Sequence, residues 1–213
     1  MRSYVFTLGF HEDFVVRRLH GTHVSPEDHL LAITVRPVSK GTMKAFQALQ
    51  AYCTKLSLRE PELLELEGSN LFSFVEQILS KVRSLQEPLI VDISGGMRAL
   101  GVSTLIAVLA SGKDADIYVT LENEEGELYF STREFRALAS GVTKERYILL
   151  SEVSRNPGIT VDELAQRLGK TKKTVLNYVT EMKGDGLLTQ RGKSAGIFLT
   201  KLGEIVVKAR DNK

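Results

Sequence analysis

Up to Phe130 the apolar residues follow two alternating rhythms, and the alternation predicts the architecture. Tyr4-Val5-Phe6-Thr7-Leu8, Leu30-Leu31-Ala32-Ile33-Thr34-Val35, Leu89-Ile90-Val91-Asp92-Ile93 and Ile117-Tyr118-Val119-Thr120-Leu121 are short apolar runs of the kind that form buried strands. Between them the apolar positions recur at helical spacing: Phe14, Val15 and Leu19, then Phe46, Leu49, Cys53 and Leu56, then Leu71, Phe74, Val75, Ile78, Val82 and Leu85. Pro37 cuts off the second strand and Pro88 admits the fourth, because proline removes a donor and biases its predecessor away from helix. Thr42 is placed to cap the helix that carries Phe46, and Gly68-Ser69-Asn70 caps the next one. Glu62-Leu63-Leu64-Glu65-Leu66-Glu67 reads as a third strand whose alternating carboxylates suit a sheet edge. Glu124-Glu125-Gly126-Glu127 reads as a hairpin turn into Leu128-Tyr129-Phe130. Strands that alternate with helices predict a Rossmann-like α/β unit, a mostly parallel sheet with right-handed crossovers and helices on both faces, for which 3-2-1-4-5 is the common strand order.

One helix breaks the pattern. From about Met97 to Ala110, Leu100, Val102, Leu105, Ile106, Val108 and Leu109 cannot share one stripe. A helix apolar nearly all round needs more than its own sheet to cover it, and a second subunit is the simplest cover, so a homodimer is expected.

After Gly141 the rhythm changes. Thr143 to Val153 reads as a helix, Asn156-Pro157-Gly158 as a turn, and Thr160-Val161-Asp162-Glu163 as a capping box that opens a helix running to Leu168. Gly169-Lys170 makes a tight link, and Thr171 caps a helix whose buried face is Val175, Tyr178, Val179 and Met182. Two short helices joined by a glycine turn are a helix-turn-helix pattern. The segments Gly186–Arg191 and Ile197–Leu199, around Gly192–Gly196, add a hairpin wing, and a last helix follows from Thr200 to Ala209. The expected units are therefore 1–140, an α/β domain, and 141–213, a winged helix.

Charge separates the same two parts. The whole chain carries +2, yet residues 1–140 hold 14 Lys and Arg against 18 Asp and Glu, a balance of −4, whereas residues 141–213 hold 14 against 8, a balance of +6. A basic winged helix points to double-stranded DNA. Thr171, Lys172, Lys173, Thr174, Asn177 and Thr180 lie on the second helix where a major groove would meet them, and Arg191 and Lys193 on the hairpin would reach phosphate or minor groove. Thr160 and Gln166 are weaker phosphate candidates. The competing reading is a helical dimerisation or protein-binding module, which winged helices also form.

Candidate chemistry in the first part lies in loops. Asp92-Ile93-Ser94-Gly95-Gly96-Met97-Arg98 reads as strand end, glycine loop and helix start, where orphan amides and the helix dipole favour an anion and Arg98 adds a fork of donors. Glycines in that position also occur simply to turn the chain. In the predicted strand order Gly9-Phe10, Ser39 to Thr42 and Ser94-Gly95-Gly96 share one rim of the sheet, the usual place for a small ligand. Asp92 at the strand end suits a general base, a metal ligand or an acceptor for loop amides; without a second carboxylate or histidine fixed beside it, the structural role is favoured. His11, His20, His23 and His29 have no zinc-site spacing, and His11 is read as a surface residue. Neither a dinucleotide fingerprint nor a Walker lysine is present, which disfavours NAD or ATP use.

Hydrophobic content of 43% is that of a soluble protein, no apolar run reaches membrane-spanning length, and Met1-Arg2-Ser3-Tyr4-Val5 lacks the apolar core of a signal peptide. The chain is expected in the cytoplasm, away from membranes, with the single cysteine, Cys53, a buried thiol.

The loops Leu8-Gly9-Phe10, Pro37-Val38-Ser39-Lys40-Gly41-Thr42 and Asp92-Ile93-Ser94-Gly95-Gly96-Met97-Arg98, followed by a basic winged helix, make the whole chain resemble the archaeal CRISPR-associated transcription factors that join a CARF sensor to a winged helix-turn-helix. The resemblance implies a homodimer with no cofactor or metal, whose paired sensors hold a cyclic oligoadenylate effector, the tetra-adenylate ring foremost, and whose winged helices bind DNA of a CRISPR locus. It implies further that Gly9, Phe10, Ser39, Gly41, Thr42, Ser94, Gly95, Gly96, Met97 and Arg98 line that pocket; some members of the family cleave the ring, and nothing in this sequence identifies a catalytic set for that reaction. Two alternatives stay open at this point: a ring nuclease, for which Ser39, Lys40 and Ser94 are the residues to test, and a regulator that senses another nucleotide or a sugar phosphate.

Overall fold

The computed structural model describes residues 1–121, 126–190 and 195–211. Contacts divide them into two compact units, Met1–Thr132 and Arg133–Lys213.

In the first unit β1 (Ser3–Thr7), α1 (Asp13–Gly21), β2 (His29–Val35), α2 (Lys40–Lys55), β3 (Glu62–Leu66), α3 (Leu71–Ser84), β4 (Leu89–Asp92), α4 (Arg98–Ser111), β5 (Ala115–Thr120) and β6 (Glu127–Ser131) build one six-stranded sheet in the order β3-β2-β1-β4-β5-β6. The first five strands are parallel and β6 runs antiparallel to β5. Side chains alternate between faces along each strand. Tyr4, Phe6, Leu8 and Ile90 meet Val15 and Leu19 of α1 and Ala45, Phe46, Leu49 and Cys53 of α2. Val5, Leu31, Leu89 and Val91 meet Phe74, Ile78 and Val82 of α3 and Leu100, Ala107 and Val108 of α4. Chain order reverses between β1 and β4, so the helices that follow them, α1 and α4, lie on opposite faces of the sheet, and the carboxyl rim at this point is where a ligand site is expected. β3 occupies the edge its alternating carboxylates suggested. The turn expected at Glu124-Glu125 lies outside the described residues.

Two local expectations need correction. Ser39, not Thr42, caps α2: its hydroxyl accepts the Thr42 amide at 3.0 Å, and Thr42 sits buried one turn in. Ser39 is the extended residue immediately before the helix, so its hydroxyl can reach forward to the otherwise unpaired amide three residues on. A helix that the periodicity did not announce, α5 (Thr132–Ala139), connects the sheet to the second unit.

The second unit contains α6 (Lys144–Arg155), α7 (Val161–Leu168), α8 (Lys172–Gly184), β7 (Leu188–Gln190), β8 (Ile197–Leu199) and α9 (Lys201–Asp211). Its core joins Leu149, Leu150 and Val153 to Leu164, Val175, Val179, Met182 and Ile197. Thr160 and Glu163 form the full capping box on α7, and Gly169 ends that helix in the left-handed region at φ +61°, which turns the chain into α8. Among the described residues no helix is long and apolar enough to cross a membrane.

Candidate functional site

Three loops meet at the carboxyl rim, and glycine is what lets them meet. A Cβ on Gly9 would lie 2.7 Å from the Gly96 nitrogen, and one on Gly95 would lie 2.5 Å from the Thr7 carbonyl oxygen. The loop after β1 and the loop after β4 thus pack backbone against backbone, clamped by the Thr7 hydroxyl, which donates to the Gly95 carbonyl at 2.6 Å. Gly41 in the first turn of α2 allows the Phe10 ring to lie against it, where a Cβ would be 2.8 Å away.

Between these loops is a cavity of about 370 Å³. Of the ten residues the sequence pointed to, Gly9, Phe10, Ser39, Thr42, Ser94, Gly95, Gly96 and Met97 line it. Gly41 stands behind Phe10, and Arg98, the first residue of α4, is exposed beyond the lining. The walls also include Leu8, His11, Phe14, Thr34, Val35, Pro37 and Leu100; His11 is both exposed, as expected, and part of the wall. Phe10 and Met97 are 68% and 56% exposed, large apolar side chains held at the mouth rather than in the core. The chemistry is mixed: an apolar, aromatic wall for a flat ring, rim hydroxyls, and the N-terminus of α4, whose N-cap Met97 offers no side-chain acceptor to the first-turn amides.

Beneath the rim lies a group that the sequence reading missed. Arg18 of α1, with a side chain 8% accessible, donates from Nε to Asp92 Oδ2 at 2.9 Å and pairs with Glu127 of β6 through its Nη atoms. Its guanidinium carbon lies 3.6 Å from the centroid of the Tyr118 ring. Burial pushes the Tyr118 phenol above its ordinary value, so it stays neutral beside the cation. The other oxygen of Asp92, Oδ1, accepts the Ser94 amide at 2.9 Å and also the Ser94 hydroxyl. Ser94 Oγ in turn accepts the Thr120 amide at 2.8 Å. Asp92 is therefore the anchor of the third loop, the structural role favoured from sequence. Among the described residues no cluster of His, Cys, Asp and Glu is arranged to hold a metal ion.

On α8, Thr171 is the N-cap and accepts the Thr174 amide at 3.2 Å, while Lys172, Lys173, Asn177 and Thr180 are exposed. Lys172 pairs with Asp162 of α7 at 2.8 Å in solvent, a contact that a phosphate can outcompete. Thr174 is half-buried, and the Thr180 hydroxyl donates to the Leu176 carbonyl at 2.8 Å. The Thr160 hydroxyl is committed to Glu163. Arg191 and Lys193 lie outside the described residues.

Comparison with known proteins agrees with this division. The family profile described as the Csa3 CRISPR-associated Rossmann-like domain matches residues 2–131, and that of the MarR family matches residues 140–196. A CRISPR locus-related protein Csa3 from Saccharolobus solfataricus is 33% identical over 98% of this chain and 88% of its own. Among solved structures, the MepR–DNA complex of S. aureus is 21% identical, with a TM-score of 0.33, over 38% of this chain and 62% of that one. The MarR repressor of Listeria monocytogenes 4b F2365 is 25% identical, with a TM-score of 0.32, over 36% and 55%. Both matches span less than two thirds of those chains, and at such scores they add no argument of their own.

Proposed function

The chain belongs to the Csa3 family of CRISPR-associated proteins, and from that premise we propose that it is a homodimeric transcription regulator of CRISPR-associated loci that binds a cyclic oligoadenylate, the tetra-adenylate ring, at its sheet rim and double-stranded DNA through its winged helix. The observation that carries the reading is the convergence of the three glycine-bearing loops on one cavity with an aromatic wall and an uncapped helix N-terminus. Such a wall suits a base, and such a terminus suits a phosphodiester.

Size supports a shared site. One cavity of about 370 Å³ is at the small end of ligand pockets and small for a ring of four nucleotides, which favours a ring shared between two copies. The face of α4 turned from the sheet supports the pairing: Val102 is 51% and Ile106 38% exposed, beside half-buried Leu105 and Leu109. For the second unit, the Saccharolobus relative is named for DNA binding, and α8 carries hydroxyl, amide and ammonium groups on its exposed face.

A ring held by both third loops biases how two protomers sit, and with them the spacing of two recognition helices on a roughly palindromic site. Coupling is reciprocal, so DNA changes ring affinity by the same factor. The test is fluorescence anisotropy of labelled promoter fragments from a CRISPR locus, with and without cyclic tetra-adenylate. A shift in affinity of about fivefold or more supports the reading. An unchanged affinity contradicts it, and a shift produced equally by AMP or a sugar phosphate reassigns the effector.

A further inference from the structure

Arg18 is absent from the cavity wall, yet it bonds the carboxylate that holds the third loop. The two oxygens of Asp92 have separate tasks: Oδ2 takes Arg18, and Oδ1 takes both the amide and the hydroxyl of Ser94. The guanidinium fork gives Asp92 one charge-assisted bond, from Nε, and together with the two Ser94 bonds on Oδ1 this leaves both carboxylate oxygens engaged. That fork is fixed from two further sides, by Glu127 and by the Tyr118 ring. Lysine has no equivalent: one nitrogen on a flexible stem serves Asp92 or Glu127, and offers Tyr118 no flat face. Glu127 belongs to β6, the last strand before the chain leaves the sheet at Thr132 and enters α5.

The geometry points to Arg18 as the positioning residue of the Ser94-Gly95-Gly96 loop, which it holds through Asp92 and ties through Glu127 to β6. Loop and exit strand then share one anchor. On the functional reading given above, on which this last step rests, a ring that pulls the loop also loads the strand leading to the winged helix.

Amide hydrogen exchange on the full-length, ligand-free protein tests the anchor without needing the effector. In Arg18→Lys, the Ser94 and Thr120 amides exchange about tenfold faster, the order expected when one charge-assisted hydrogen bond is released, while the amides of Leu49 and Cys53 in α2 stay within about twofold. Should that variant fail to fold, Glu127→Gln, altered at a side chain 38% accessible and with the Arg18–Asp92 contact left in place, gives an acceleration of about threefold at the same two amides. Unchanged exchange at Ser94 and Thr120, or acceleration equal to that of α2, overturns the proposal. Calorimetric titration with cyclic tetra-adenylate adds the functional arm: Arg18→Lys binds about tenfold more weakly, and Glu127→Gln within about threefold of wild type. A wild-type protein that does not bind the ring overturns the functional reading, and the exchange rates still decide the role of Arg18.

Discussion

At the sheet rim the polar groups are backbone amides and buried side chains that the fold has already paired, from Thr7 on the Gly95 carbonyl to Arg18 on Asp92, whereas on α8 the polar groups stand in solvent on a helix whose packing uses other positions. The contrast teaches where folding and binding can be separated. A change at the rim alters the scaffold and the site together; a change on the exposed face of α8 alters affinity and leaves the scaffold alone.

The sharpest break of this contrast is Gly95→Ala, whose methyl would meet the Thr7 carbonyl oxygen at 2.5 Å. It is expected to cost about 2–4 kcal/mol in urea unfolding and to abolish ring binding with it. Next in size is Ile106→Asp, on the uncovered face of α4. Sedimentation is expected to show dissociation to monomers, with about 2 kcal/mol or more lost from the dimer and the far-ultraviolet spectrum unchanged. Lys173→Ala should weaken DNA binding by about 1 kcal/mol, lower the slope of log K against log salt by about 1, and leave the melting temperature unmoved. Thr160→Ala reverses that signature: it removes the α7 capping box, costs about 0.5–1 kcal/mol of stability and leaves the salt slope unchanged, because its hydroxyl already serves Glu163. The smallest effect concerns Cys53, whose thiol burial pushes up to about 11. With thiolate at about 0.1% at pH 8, the folded chain is expected to react with a thiol reagent far more slowly than the urea-unfolded chain, in which the burial that suppresses the thiolate is gone.

The parts written in local pattern were legible. Strand and helix rhythm yielded the α/β class and the parallel core, since β1, β2 and β4 are buried along nearly their whole length and must be covered on both faces, whereas the order matches the one common to such sheets and is not written in these residues. Glycines beside strand ends marked the rim, and Thr171 and Gly169 marked the helix-turn-helix. Arg18 was not legible: it follows Arg17 on a helix with Glu12 and Asp13 at its start, the look of a solvated face, and its partner Asp92 is 74 positions away. Only the crossing of α1 over β4 makes it a buried cation. α5 escaped although Phe135 and Leu138 stand at helical spacing, because it starts directly after β6 with no glycine or proline between them to mark the change of rhythm.

The central claim is that one ring occupies two rims, and stoichiometry tests it most directly. Calorimetric titration of the purified full-length protein with cyclic tetra-adenylate should saturate at one ring per two chains, with a raised melting temperature. Saturation at one ring per chain, or no heat and no thermal shift at all, would contradict it.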